Sequence, residues 1–413
     1  MTAGQATRAS SAEFVALIAM MMSVVALSID ALLPALGALR VDLRLPDPNQ
    51  AQYVISALFM GMAFGQLVFG PLSDAVGRRA PLYLGLVLFF LGSALCRSSQ
   101  TLDWMLVGRI VQGFGIAGPY VCAVSIVRDR CSGTEMARTM SLVMTIFFIV
   151  PAIAPSLGQL VMTLAGWRAI FTLYMATACL LAVWIALRLP ETLPIERRTR
   201  FRLESFRTGF VEVVRHRGTR LSTVCIGLFF GGFIGYLNSS QQIFQGLFAT
   251  GDAFTLYFGM LALILGATSL VNARVVRRLG MKALCRRASL CIAAASAVFV
   301  ALNLAVQVEL WMFLLYSAVL FACFGFMFGN LNAMAMEPMG HCAGIASAII
   351  GTTSSLCSIA IGTLVGQLYD GTLLPIASAF LVLSLSSVVV MRAMDGGGLA
   401  VPQPAIAAVE SRD

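Results

Sequence analysis

The chain of 413 residues contains one lysine, Lys282, and two histidines. Lys282 follows a methionine, where a nucleotide-binding P-loop requires glycine, and no G-x-x-x-x-G-K-[ST] occurs anywhere. The backbone cradle for ATP phosphates is therefore missing. The ten cysteines are scattered, without a CxxC or a Cys/His cluster, which removes zinc-site, dithiol and disulfide-framework readings. No local nucleophile–base motif suggests an enzyme. Charge is also scarce, at 11% of residues. A soluble protein of this size would need far more polar surface between its apolar segments.

What the chain has is hydrocarbon-compatible sequence, 59% hydrophobic. Apolar runs long enough to span a membrane as helices fall at about 12–36, 51–72, 80–97, 103–126, 139–163, 167–188, 220–245, 253–273, 285–307, 310–335, 342–367 and 373–391. A helix pairs its own backbone groups, which hydrocarbon demands. The expected fold class is thus an all-α polytopic membrane protein with twelve transmembrane helices. Small residues recur within the spans, as at Gly61/Gly65 and Gly362/Gly366, and favour a packed bundle.

Apart from the embedded Arg109, only Arg40, Arg44, Arg97 and Arg168 of the 28 Lys/Arg residues fall on the side opposite the chain ends. The positive-inside bias places both termini in the cytoplasm, in a bacterial-type inner membrane. It also accounts for the net charge of +9 without nucleic acid. The N-terminal segment lacks a short secretory-signal pattern, so retention is expected. Residues 189–219, rich in arginine, divide six spans from six more. They suit a cytoplasmic connector with an amphipathic helix near 203–217, and RRTRFR is suited to anionic headgroups. The expected organisation is an N-terminal six-helix bundle (1–188), the connector, a C-terminal bundle (220–392) and a flexible cytoplasmic tail (393–413). GPLSDAVGRR after the second span and LVNARVVRRLG after the eighth form a weak internal echo.

GQLVFGPLSDAVGRR at 65–79 resembles the cytoplasmic signature of the major facilitator superfamily, the match being carried by Gly65, Gly70, Asp74, Gly77, Arg78 and Arg79. With RIVQGFG at 109–115, WRAIF at 167–171, SIDALLPAL at 28–36 and LPETLP at 189–194, the chain looks most like bicyclomycin/chloramphenicol-resistance-type drug–proton antiporters. The resemblance implies two pseudo-symmetric six-helix bundles, a gating network at 65–79, and a coupling role for Arg109. The fifth span, TIFFIVPAIAPSLG, resembles the antiporter motif in part. Ser141, Val150 and Gln159 stand where the family pattern favours glycine.

The residues themselves single out further candidates. Asp30 is a carboxylate in the outer half of an apolar span, costly to leave charged in hydrocarbon. It suits either a cationic drug or a proton, and the sequence does not separate the two. Arg109 stays charged, so it would organise a polar network or bias a carboxylate rather than carry the proton. Asn238, Gln241 and Gln245 repeat on one helical face beside Tyr236, Phe244 and Phe248, a mixture suited either to amphipathic ligands or to helix packing. Phe147, Phe148, Asn330 and Asn332 are further cavity candidates. Pro151, Pro155 and Gly158 are expected to kink the fifth span where the halves meet. Glu337 and His341 fit a turn better than a proton relay.

The preferred function is secondary efflux of amphipathic drugs in exchange for protons, by alternating access, without a cofactor other than the coupling H+. The expected partners are membrane lipids and a small amphipathic substrate. An importer or uniporter of a small metabolite is the alternative, and a non-transporting scaffold a weaker one.

Overall fold

The computed structural model describes residues 11–198 and 203–395. The expectations for residues 199–202 of the arginine-rich run and for the tail from 396 onward lie outside the described residues. Fourteen α-helices follow one another: α1 Ser11–Asp30, α2 Leu36–Asp42, α3 Tyr53–Val76, α4 Arg79–Ser98, α5 Leu102–Arg130, α6 Gly133–Ala165, α7 Arg168–Arg188, α8 Leu203–Arg215, α9 Arg217–Gln241, α10 Phe254–Leu279, α11 Met281–Ala305, α12 Leu310–Met336, α13 Ala343–Gln367 and α14 Leu374–Asp395. They make twelve segments long and apolar enough to cross a membrane, with α1 and α2 forming one segment and α8 none.

The helices outrun the apolar stretches mainly on the face that carries the connector, hereafter the connector face. There α5 continues through Arg128 and Arg130, α10 through Arg277 and Arg278, and α11 starts ahead of Lys282. Hydropathy marks only the hydrocarbon-facing length, whereas backbone pairing carries on into the interface, where long basic side chains reach water.

Two six-helix bundles result. In the first, α3 crosses α5 closely, because a Cβ on Gly65 would sit 2.6 Å from the Ala117 Cβ and from the Phe114 carbonyl oxygen. The bundles meet along two seams, α3 against α13 and α6 against α10. Each seam joins the second helix of one half to the fifth of the other, as a pseudo-twofold between repeats requires. Prolines 151 and 155 lie within α6, which remains one helix from Gly133 to Ala165.

The connector contains α8, which lies against α9 and α13. Val213 is buried in that contact while Phe210, Val211 and Val214 are exposed, the two-sided pattern expected of an interfacial helix.

Candidate functional site

The first membrane segment is broken at its most polar point. A continuous helix would pair the Asp30 carbonyl with the residue-34 N–H, but proline has none. The chain instead passes through a 3-10 turn, Leu33–Ala35, before resuming as α2. The Leu32 N–H bonds Ile29, leaving the Ser28 carbonyl available to side chains. Gly158 of α6 fits against this break, since any Cβ there would collide with the Ala31 carbonyl.

Arg109, fully buried on α5, takes that carbonyl. Its Nη1 and Nη2 both donate to Ser28 O at 3.2 Å, its Nε to Val54 O of α3 at 2.9 Å, and its Nη1 also to Gln112 Oε1 at 2.6 Å. Gln112 in turn donates to Ser93 Oγ at 2.7 Å, and the Tyr174 hydroxyl of α7 donates to Ser28 O at 3.3 Å. The sequence left open whether Asp30 meets Arg109. Among the described residues, every hydrogen bond of the guanidinium goes to a neutral acceptor. The link to Asp30 runs through the backbone of Ser28, two residues away. Asp30 itself is 5% exposed and makes no ion pair among the described residues.

Val54 lies inside a second polar group, which closes the seam on the far face, opposite the connector. Asn49 Nδ2 donates to the carbonyls of Gln367 at 3.2 Å and Tyr369 at 2.9 Å, and Gln367 Nε2 returns a bond to Asn49 O at 2.9 Å. Gln52 Nε2 reaches Gln242 Oε1 at 2.6 Å, and Gln242 Nε2 reaches Asn49 Oδ1 at 2.9 Å. Deeper, Ser56 Oγ accepts from Asn238 Nδ2 at 3.3 Å and from Thr363 Oγ1 at 2.9 Å. A recess of about 610 Å³ containing Arg40, Asp47 and Asp370 opens directly above this latch. Each bond contributes a net 0.5–1.5 kcal/mol or so. The double variant N49A/Q52A therefore shifts the closed-to-open ratio of this face by about tenfold or more, at roughly 1.4 kcal/mol per tenfold. Faster reaction of a far-side thiol reagent with Ala51→Cys, in a cysteine-free background, is the expected result. An unchanged rate contradicts the latch.

The other expected ligand residues divide. Gln241 bonds Gln245 at 3.0 Å and faces Gly37 of α2 in the other bundle, and Gln245 reaches the Gly251 carbonyl at 3.4 Å. Phe148 meets Gly266 of α10, placing it on the second seam, with Phe147 edge-on beside it. Tyr236 and Asn330 make their contacts within the second bundle. Tyr236 is buried in the second bundle, stacked on Phe313 and edge-on to Phe321. Phe244 is buried against Phe254 and Phe313, with Phe248 also packed on Phe313. Asn330 exchanges amide bonds with Asn272, tying α12 to α10. Asn332 is exposed and bonds the Phe328 carbonyl one turn back. Glu337 lies in the turn after α12, and the side chain of His341 lies outside the described residues.

On the connector face, Gly77 makes the turn between α3 and α4 at φ +102°, a conformation that favours glycine. The turn presents Arg78, whose guanidinium bonds Asp74 at 2.6 Å, Ser73 Oγ at 3.0 Å and Asp129 at 2.7 and 3.1 Å. Burial pulls its pKa down, and hydrogen bonds to Asp129 and Asp74 more than offset this, leaving it above the ordinary value. Asp74 also lies beside the start of α13, since a Cβ on Gly344 would be 3.7 Å from its Oδ2, and that helix end carries partial positive charge. Gly70 faces Ala348 of α13, where there is room for a Cβ. Arg79 turns away to the Tyr83 hydroxyl at 3.2 Å.

Glu191 locks the connector onto this turn. Its carboxylate accepts the N–H groups of Arg78 at 2.8 Å, Arg79 at 3.2 Å, and Thr192 and Leu193 at 3.0 Å each. Partial burial works to raise its pKa, but these four donors outweigh it and hold the group below its ordinary value. A depressed carboxylate stabilises the folded contact above the ordinary range near 4.3 and loses that effect only as pH falls below it. Protease protection of residues 189–198 is therefore expected to stay constant between pH 5.5 and 8. Glu191→Gln, partly solvated, should raise the cleavage rate by about threefold. Cleavage that rises steeply from pH 8 to 6 contradicts this assignment.

The major facilitator superfamily model matches residues 10–363. An uncharacterised transporter of that type from Bacillus subtilis is 30% identical over 349 residues, covering 81% of this chain and 87% of its own. A bicyclomycin resistance protein homolog from Haemophilus influenzae is 26% identical over 348 residues, covering 84% and 87%. The fold matches the Escherichia coli xylose transporter, in a partially occluded inward-open conformation, at a TM-score of 0.70 and 13% identity over 93% of this chain and 97% of that one. With twelve membrane-crossing segments in two bundles and the Gly77 turn between α3 and α4 locked by Arg78, the chain belongs to the major facilitator superfamily, a family of multi-pass membrane transporters and not of enzymes.

Proposed function

We propose that this transporter expels amphipathic, preferentially cationic drugs from the cytoplasm in exchange for protons, in a bacterial cytoplasmic membrane with the connector face inside. The basic residues of that face support the orientation. The similarity to a bicyclomycin resistance protein homolog supports drugs as cargo. The bundles formed by 1–188 and 220–392 would rock about the two seams, as major facilitator transporters exemplify.

The observation that carries this reading is the continuity of three polar elements. The helix break at Asp30 exposes the Ser28 carbonyl, Arg109 holds that carbonyl together with Val54, and Val54 lies between Gln52 and Ser56 of the far-face latch. Asp30 is the proton acceptor in this scheme. Protonation removes the cost of a buried charge and lets the first segment repack. Movement of Ser28 then pulls on Arg109, and through it on the start of α3, loosening or restoring the latch. Arg109 keeps its charge throughout and orients the backbone rather than carrying the proton. Phe148, Asn238 and Gln241 are the residues placed to meet cargo as the seams part, and Asp30 meets its positive charge when deprotonated.

Reconstituted vesicles carrying a proton gradient test the scheme, with an amphipathic fluorescent cation as cargo and a pH dye inside. The expected result is cargo movement against its own gradient together with stoichiometric counterflow of protons, both reversing with the imposed gradient. Cargo movement indifferent to the proton gradient removes antiport. Gradient-linked uptake of a metabolite instead replaces it with import.

A further inference from the structure

A second recess, of about 740 Å³, opens on the connector face, lined by residues of the second bundle and the end of the connector. It lies where the α10–α11 turn, the start of α9 and the ends of α12 and α14 converge, at the level where membrane segments end. Lys282 and Arg286, one helical turn apart on α11, both line it. The first turn of α11 also lines it and has no side-chain cap, because its N-cap is Gly280 at φ +77°. Its leading N–H groups are donors without helical partners, at the positive end of a 25-residue helix.

Two further donors converge there. His216 accepts the Thr219 N–H on Nδ1 at 3.2 Å, so its neutral ring carries the proton on Nε2. Ser222 is 2% exposed, lines the recess, and makes no side-chain hydrogen bond among the described residues. Its hydroxyl can bond a ligand or water in the recess. Glu337, which is exposed, also lines the recess and carries negative charge. Leu279, Met281, Met334 and Met394 make the remaining wall apolar.

We propose that this recess binds the phosphodiester headgroup of an anionic phospholipid, held by Lys282, Arg286, the α11 N-terminus and Ser222. Basic pockets between membrane helices suit such headgroups, and the apolar wall suits the glycerol and upper acyl chain better than a phosphate from solution. The site lies away from Asp30, Arg109 and the latch, so its occupancy can be measured without reference to cargo.

Native mass spectrometry of the full-length detergent-solubilised protein, titrated with phosphatidylglycerol or phosphatidylcholine, tests this. Phosphatidylglycerol should bind about tenfold tighter or more, and K282Q/R286Q should abolish the preference. The control R277Q/R287Q removes the same charge from the same face outside the recess and should keep it. Ser222→Ala leaves both cations in place and should weaken phosphatidylglycerol severalfold with an unchanged Tm, which keeps the test decisive if the double variant folds poorly. Equal loss in both double variants, no lipid preference in the wild type, or displacement of phosphatidylglycerol by inorganic phosphate at equal concentration each overturns the proposal.

Discussion

Asp30→Asn reduces cargo-driven proton flux in reconstituted vesicles to the level of protein-free vesicles and leaves the thermal stability of the transporter intact. The substitution preserves shape and removes only titration. Because Asp30 has no ion pair among the described residues, no partner charge is stranded by the change. Relief of a buried carboxylate should leave Tm equal to or slightly above the wild-type value. Energy-independent downhill movement of a neutral cargo should persist, because the seams and the latch are untouched. Undiminished coupling in this variant eliminates Asp30 as the proton site, and a large fall in Tm reassigns it to structure.

Arg109→Met has the opposite profile, with stability and transport failing together. Methionine fills much of the volume but removes the guanidinium bonds to the Ser28 and Val54 carbonyls and leaves the Gln112 amide oxygen without its donor in a buried site, while Ser28 O keeps the Tyr174 hydroxyl. One unsatisfied buried acceptor costs about 1–3 kcal/mol and the lost charge-assisted bonds add to it, partly offset by no longer burying a charge, for a net loss of about 2 kcal/mol. Arg109→Lys keeps the charge but offers a compact ammonium in place of a planar fork. It cannot reach Val54, Ser28 and Gln112 together, so it should restore less than about a tenth of transport. Thermal unfolding and the vesicle assay read both variants. Wild-type transport in either would remove Arg109 from the coupling path.

The twelve spans were legible because hydrocarbon imposes a simple rule on length and polarity, and the 65–79 stretch because its glycines, acid and arginines match a family pattern. The latch was much less so. Asn49 and Gln52 lie in PNQAQ, a 3-10 turn that reads as a loop ahead of a span, and nothing local says that it faces Gln242 and Gln367. An amide-rich cluster at a span boundary was the available signal. Asp129 and Glu191 likewise read as interfacial charge, because the bonds that give them their role come from the turn between α3 and α4. Periodicity placed Tyr236, Asn238 and Gln241 near one another on α9 without showing which neighbour each would meet. Tyr236 packs into the aromatic core of its own bundle while Asn238 crosses to Ser56. The link from Arg109 to Asp30 was hidden because it runs through a main-chain carbonyl, which a pattern of side chains does not reveal.

The central claim is that the two bundles expose one interior alternately to opposite faces. Spin–spin distance measurement in lipid discs tests it directly, with labels at positions 47 and 370 above the latch and, in a second sample, at 138 and 278 on the connector face. Lowering the pH should change the two distances in opposite senses, each as a transfer between two discrete populations. A single unshifting distance at both faces, or both distances changing in the same sense, contradicts the account.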